Sequence, residues 1–80
     1  VADVDGLGRR ARHARLAAGL RQIDVAKRAG VTRSSVANIE ADRQGNLPVT
    51  TLVRLAEALG VSVAALVGEA ELPPLPGHAF

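Results

Sequence analysis

The sequence predicts an all-α domain built from five short helices. Three observations carry that prediction. Apolar residues recur at spacings of three and four, glycines close those runs, and no stretch alternates apolar and polar residues as a half-buried strand would. The chain has 80 residues, enough for one small core. Its balance of 48% apolar to 22% charged residues is globular and excludes wholesale disorder. The apolar part is almost entirely Ala, Val and Leu, with fifteen alanines, one Phe at the last position, and no Trp, Tyr, Met or Cys. Small side chains on short elements allow close packing, and alanine favours the helix itself.

The elements follow in order. Leu7, Ala11, Ala14 and Ala18 recur at helical spacing and Gly19 follows as a stop, so a first helix is expected over residues 5–18. Gln22–Ala29 is expected as a second, short helix: Val25, Ala26 and Ala29 share a face, Asp24 suits the first turn, and Gly30 ends it. Thr32 is a good N-cap for a third helix over residues 33–41, with Val36 and Ile39 pointing inward. A polar loop follows over residues 42–46. Pro48 suits the first turn of a fourth helix reaching Leu59, whose buried stripe is Leu52, Leu55, Ala56 and Leu59. Gly60 closes it. Ser62 caps a fifth short helix running to about Val67, and Gly68 stops it. Residues 1–68 therefore read as the domain. Residues 69–80, with three prolines and no period, read as a tail that is a linker, an arm or disorder.

Several function classes fall away on composition. Without cysteine there is no disulfide framework, thiolate zinc site or cysteine nucleophile, and a cytoplasmic location is expected. The longest nearly apolar stretch, residues 61–68, is too short to span a bilayer. The opening Val1-Ala2-Asp3-Val4-Asp5 has neither the basic start nor the apolar run of a signal peptide, so no membrane partner is expected. His13 and His78 are too few and too far apart to suggest a metal site. Ser34, Ser35 and the carboxylates show no nucleophile–base–orienter pattern, so neither an enzyme nor a cofactor is expected.

The charge distribution says more than the net +2. Residues 6–45 carry nine Arg or Lys against three acids, whereas residues 46–80 carry one against three. Nine of the ten basic residues are Arg, the side chain suited to phosphates and guanine edges. This asymmetry points to a polyanion on one side of the domain. Arg9, Arg10 and Arg12 read as a solvated face adding long-range attraction.

The informative segment is QIDVAKRAGVTRSSVANIE, residues 22–40. Two short helices are joined by a turn with Gly30 at its start and Val31 buried, and the small Ala26 permits the steep crossing of a helix-turn-helix. The second helix exposes Arg33, Ser34, Ser35 and Asn38, hydrogen-bonding groups of several lengths. A merely solvated face would more often show Glu and Lys at i,i+4 spacing. Arg suits guanine and Asn suits adenine in the major groove.

Leu7-Gly8, Ala11-Arg12, Arg15, Gly19-Leu20, Gln22, Val25-Ala26, Ala29 through Val36 and Ile39-Glu40 resemble the lambda-repressor/Cro-like (Xre-family) helix-turn-helix domain. The resemblance continues through Leu52, Leu55-Ala56, Ala58 through Ser62 and Leu66. It implies a compact five-helix DNA-binding domain with the helix-turn-helix at the second and third helices. It further implies a sequence-specific transcriptional regulator, a repressor that binds a palindromic operator in double-stranded DNA as a homodimer. In such domains Gln22 would contact a phosphate or brace the recognition helix, and Thr32 would cap that helix beside the backbone. Arg33, Ser34 and Asn38 would face base edges, Ser35 would lie near phosphate or base, and Arg43 would contact a phosphate. Arg15 and Glu40 would form an internal salt bridge. Leu66 and Val67 either complete the core or, with Leu72 and Leu75, pair two copies. The alternative reading is an antitoxin or protein-interaction module with a protein partner. Arg21 departs from the family pattern at the cap of the second helix, and Asp42 stands where a Gly is frequent.

Overall fold

The computed structural model describes residues 6–44 and 46–75. It contains α1 (Leu7–Ala17), α2 (Gln22–Ala29), α3 (Arg33–Glu40), α4 (Val49–Leu59) and α5 (Val63–Leu66). The expected start of the first helix at Asp5, part of the polar loop at Gly45 and the end of the tail, residues 76–80 with His78, lie outside the described residues. Boundaries move by one or two residues. Ala41 and Val67 act as C-caps, and Pro48, with extended backbone (φ −58°, ψ 144°), is the N-cap of α4 instead of its first turn.

Three of the four connections are built alike: a glycine, an aliphatic residue, then the cap of the next helix. These are Gly19-Leu20-Arg21, Gly30-Val31-Thr32 and Gly60-Val61-Ser62. Each glycine takes the left-handed conformation (φ 71–72°) that a Cβ would strain. The following N–H then reaches back to close the helix: Leu20 N donates to Arg15 O, Val31 N to Ala26 O and Val61 N to Ala56 O, at 3.0–3.1 Å. The aliphatic residue docks, half-buried, on the core. Thr32 and Ser62 Oγ then accept from the backbone N–H of Ser35 and Ala65, satisfying a donor the helix start leaves open.

Arg21 cannot cap, because a guanidinium accepts no hydrogen bond. Asp24 supplies the compensation. Its Oδ2 accepts from the Arg21 backbone N–H at 2.8 Å, and its carboxylate takes two further bonds from the Arg21 guanidinium.

The core is wholly aliphatic: among the described residues no polar or charged residue is buried as a whole, although the side chains of Arg15 and Glu40 are largely covered. α1 contributes Leu7, Ala11 and Ala14, α2 contributes Val25, Ala26 and Ala29, and α3 contributes Val36 and Ile39. Leu55, Ala56, Ala58 and Leu59 of α4 and Ala65 and Leu66 of α5 complete it. Leu52 and Val31, expected inside, are half-buried and pack against its edge. Leu66 and Val67 serve the core of a single copy.

Helix α1 lies unusually close to the end of α3. A Cβ at Gly8 would sit 2.4 Å from the Ile39 carbonyl oxygen and 2.6 Å from that of Glu40. The Gly8 N–H donates to Asp42 Oδ1 at 3.0 Å. Asp42 thus caps α1 from the far end of α3, because Gly6, the residue at the N-cap, has no side chain to do so. Asp42 adopts a left-handed backbone (φ 56°), which Asp tolerates better than most residues and which accounts for its standing where Gly is frequent.

Arg10 is not part of a solvated face. Its Nε donates to the Leu66 carbonyl at 2.6 Å, closing α5 with a cation at the carbonyl end. One turn along α1, His13 Nε2–H donates to the Pro73 carbonyl at 2.7 Å, and Leu72 packs against the core. Residues 69–75, without regular structure, thus return along α1.

Candidate nucleic-acid interface

The exposed side of the α2–α3 pair gathers most of the expected site residues. α3 buries Val36 and Ile39 and turns the opposite side outward, leaving Arg33 and Ser34 exposed and Ser35 and Asn38 half-exposed. Ser34 and Asn38 are i,i+4 neighbours and share one stripe. Thr32 sits at the helix start, where its hydroxyl both accepts from Ser35 N at 3.0 Å and donates to Ser35 Oγ at 3.1 Å. These two hydroxyls therefore spend part of their capacity on the helix cap, keeping their remaining valence outward.

Arg43 follows the loop beyond α3. Its backbone N–H donates to Asn38 O at 2.9 Å, which folds the loop back on the last turn of the helix, and its side chain is exposed. Arg43 is brought to the α3 end of the face, though no bond links its side chain to the others.

Behind the face lies a polar chain crossing three helices. Arg15 Nε donates to Glu40 Oε2 at 2.6 Å and Arg15 Nη2 to Glu40 Oε1 at 3.0 Å, a bidentate pair that is 12% and 6% exposed. Arg15 Nη1 also donates to the Leu20 carbonyl at 3.0 Å. Gln22 Nε2 donates to Glu40 Oε1 at 3.2 Å, while Arg33 Nη1 donates to Gln22 Oε1 at 2.9 Å. Periodicity and charge do not reveal this link, because it depends on how α2 crosses α3. A Gln at the start of one helix and an Arg at the start of the next is its only signature in the sequence.

At the α2 end, the Arg21 guanidinium and backbone N–H hold the Asp24 carboxyl well below its usual range, at about 2. Asp24 therefore stays charged and partly neutralises Arg21, the cation nearest the start of α2.

No helix among the described residues is long and apolar enough to cross a membrane. The helix-turn-helix family model matches residues 12–66, taking in all of α2 to α5 and most of α1. Among curated proteins, the immunity repressor of Bacillus phage phi105 is 41% identical over 66 residues, 82% of this chain. The chain spans 45% of that repressor's length. Among solved structures, the restriction-modification controller protein C.AhdI from Aeromonas hydrophila superposes with a TM-score of 0.74 at 34% identity, covering 81% of this chain and 93% of the other. The biofilm master regulator SinR of Bacillus subtilis, in complex with DNA, superposes with a TM-score of 0.72 at 31% identity, covering 76% and 97%. These relatives are regulators and not enzymes. The chain belongs to the Xre/lambda-repressor-like helix-turn-helix family.

Proposed function

We propose that this domain reads double-stranded DNA for a cytoplasmic transcriptional repressor, binding a palindromic operator as a homodimer with α3 in the major groove. The observation that carries the reading is the exposed face of α3. A short helix, seated by Val36 and Ile39, presents Arg33, Ser34 and Asn38 with donors and acceptors suited to base edges. Gln22, Thr32, Ser35 and Arg43 surround that face and supply backbone contacts, which fix register without reading sequence. The known DNA complex of SinR supports this placement by likeness of fold.

Pairing of two copies gives two such helices, spaced by about one helical turn of DNA. Leu66 and Val67 are spent on the core, so the large apolar side chains left for pairing are Val49 (75% exposed) and Val53 (40%) on α4, Leu16 (37%) on α1 and Leu75 (38%) of the expected tail contact. The same two valines favour a second reading, in which the module engages a different protein, as an antitoxin does.

Selection of bound sites from random DNA tests both. The expected result is a palindrome with half-site centres about one turn apart. Arg33→Ala should lower affinity for that site by roughly 1–3 kcal/mol and erase preference at one base pair. Arg43→Ala should weaken all sequences alike and reduce the salt slope by about one. No enrichment over random DNA would overturn the DNA reading in favour of the protein partner.

A further inference from the structure

We propose that Glu40 is a positioning residue for base recognition, acting on Arg33 through the Gln22 side chain. This rests on Arg33 reading a base, as proposed above. The buried Arg15–Glu40 pair would otherwise count only as a fold brace, yet its carboxylate carries one bond more than that pairing needs.

Glu40 Oε1 accepts from both Arg15 Nη2 and Gln22 Nε2. An ionised carboxylate only accepts, so it admits the NH2 side of the Gln22 amide and repels the carbonyl side. The amide is thereby oriented with its oxygen turned away from Glu40, and that oxygen meets Arg33 Nη1 at 2.9 Å. A flipped amide would set two donors against the guanidinium and an oxygen against the carboxylate, losing both bonds. Glu40, 6% exposed and clamped by Arg15, is the fixed end of the chain, and Arg33 is the exposed end.

The wiring leaves the outward chemistry intact. Gln22 has a second N–H free for a phosphate, and Arg33 keeps Nη2 and Nε for the paired acceptors of a guanine edge. Holding one guanidinium nitrogen restricts a long, flexible side chain before it meets DNA, so less freedom is lost on binding. The expected consequence concerns preference: Arg33 discriminates among bases because Gln22 and Glu40 hold its plane.

Affinity is measured on the best selected site and on sites altered one base pair at a time, with Arg33→Ala identifying the pair that Arg33 reads. Gln22→Met keeps the length, removes both links and spares the Arg15–Glu40 pair. It should cut discrimination at that base pair by roughly fivefold while leaving discrimination elsewhere unchanged. Glu40→Gln should do the same, with no further loss when combined with Gln22→Met. If Glu40→Gln does not fold, Gln22→Met decides alone. A uniform loss of affinity in Gln22→Met, with discrimination preserved, overturns the positioning role and leaves a simple phosphate contact. If Arg33→Ala preserves discrimination at every base pair, the base-reading assignment itself falls, and the positioning role with it.

Discussion

The two halves of this domain share one aliphatic core but differ in the polar bonds added to it. From α1 to α3 the helices are tied by side-chain polar bonds between elements: Arg15 to Glu40, Gln22 to Glu40, Arg33 to Gln22, and Gly8 to Asp42. From α4 onward the chain is seated by aliphatic burial, with Leu55, Leu59 and Leu66 nearly or fully inaccessible. Its main polar ties to α1 are two backbone carbonyls, those of Leu66 and Pro73, accepting from Arg10 and His13. The difference teaches what each half must do. Aliphatic packing tolerates small shifts, because dispersion has no direction, whereas hydrogen bonds fix orientation. The half that presents the proposed reading surface is the half fixed by direction.

The comparison can be broken most forcefully at the buried pair. Arg15→Ala or Glu40→Ala should cost about 3–5 kcal/mol by stranding a buried charge, seen as a large drop in thermal midpoint. Replacing both with Met and Leu should recover most of that stability yet leave base preference degraded. Recovery of both would erase the distinction between the halves. Leu55→Ala probes the other half and should cost about 2–5 kcal/mol in unfolding free energy, with base preference retained in whatever protein stays folded. Gly8→Ala tests the contact between α1 and α3. Its Cβ has no room beside two carbonyl oxygens, and about 2 kcal/mol of destabilisation is expected by denaturant titration. The caps give matched smaller probes: Thr32→Ala and Ser62→Ala should each cost about 1 kcal/mol, and only the former should also weaken DNA binding.

The smallest effect is electrostatic. The Asp24 carboxyl is held at about 2 in the fold, below its ordinary 3.8, by bonds from the Arg21 side chain and backbone. A depressed carboxyl contributes its stability above the unfolded value, and loses it as pH falls through the folded one. Stability should therefore decline between about pH 4 and pH 2, and Asp24→Asn should flatten part of that decline in acid titrations followed by circular dichroism.

Helix ends were legible wherever the signal was local. Gly19, Gly30 and Gly60 mark stops, Thr32 and Ser62 mark starts, and all five act within a turn of their own position. Of the long-range ties, the Arg15–Glu40 pair was anticipated through the family resemblance, but others were not. Arg10 and Leu66 stand 56 residues apart and Gly8 and Asp42 stand 34 apart, so neither partner betrays the other in a one-dimensional pattern. Arg10 consequently read as solvated. The outward side of α3 could be anticipated because Val36 and Ile39 commit the inward one. A brace from Gln22 on the recognition helix was implied by the family resemblance, but its partner Arg33 was not, because that bond exists only at the particular crossing of α2 over α3.

The repeated three-residue joint has a consequence for how such a domain can vary. Each glycine–aliphatic–cap connection is a closed fitting, whose second residue docks half-buried against the core and whose third starts the next helix. An inserted residue would unseat the aliphatic or displace the cap, so these three joints resist changes of length. The stretch from Asp42 to Pro48 differs: Leu47 docks half-buried on the core ahead of the Pro48 cap, but Asn46 instead of a glycine precedes it, and Arg43, Gln44 and Asn46 are exposed. Variation in loop length is therefore channelled to one place, the segment that carries Arg43 past the end of α3. A lineage can lengthen or shorten that segment while the rest of the framework stays in register.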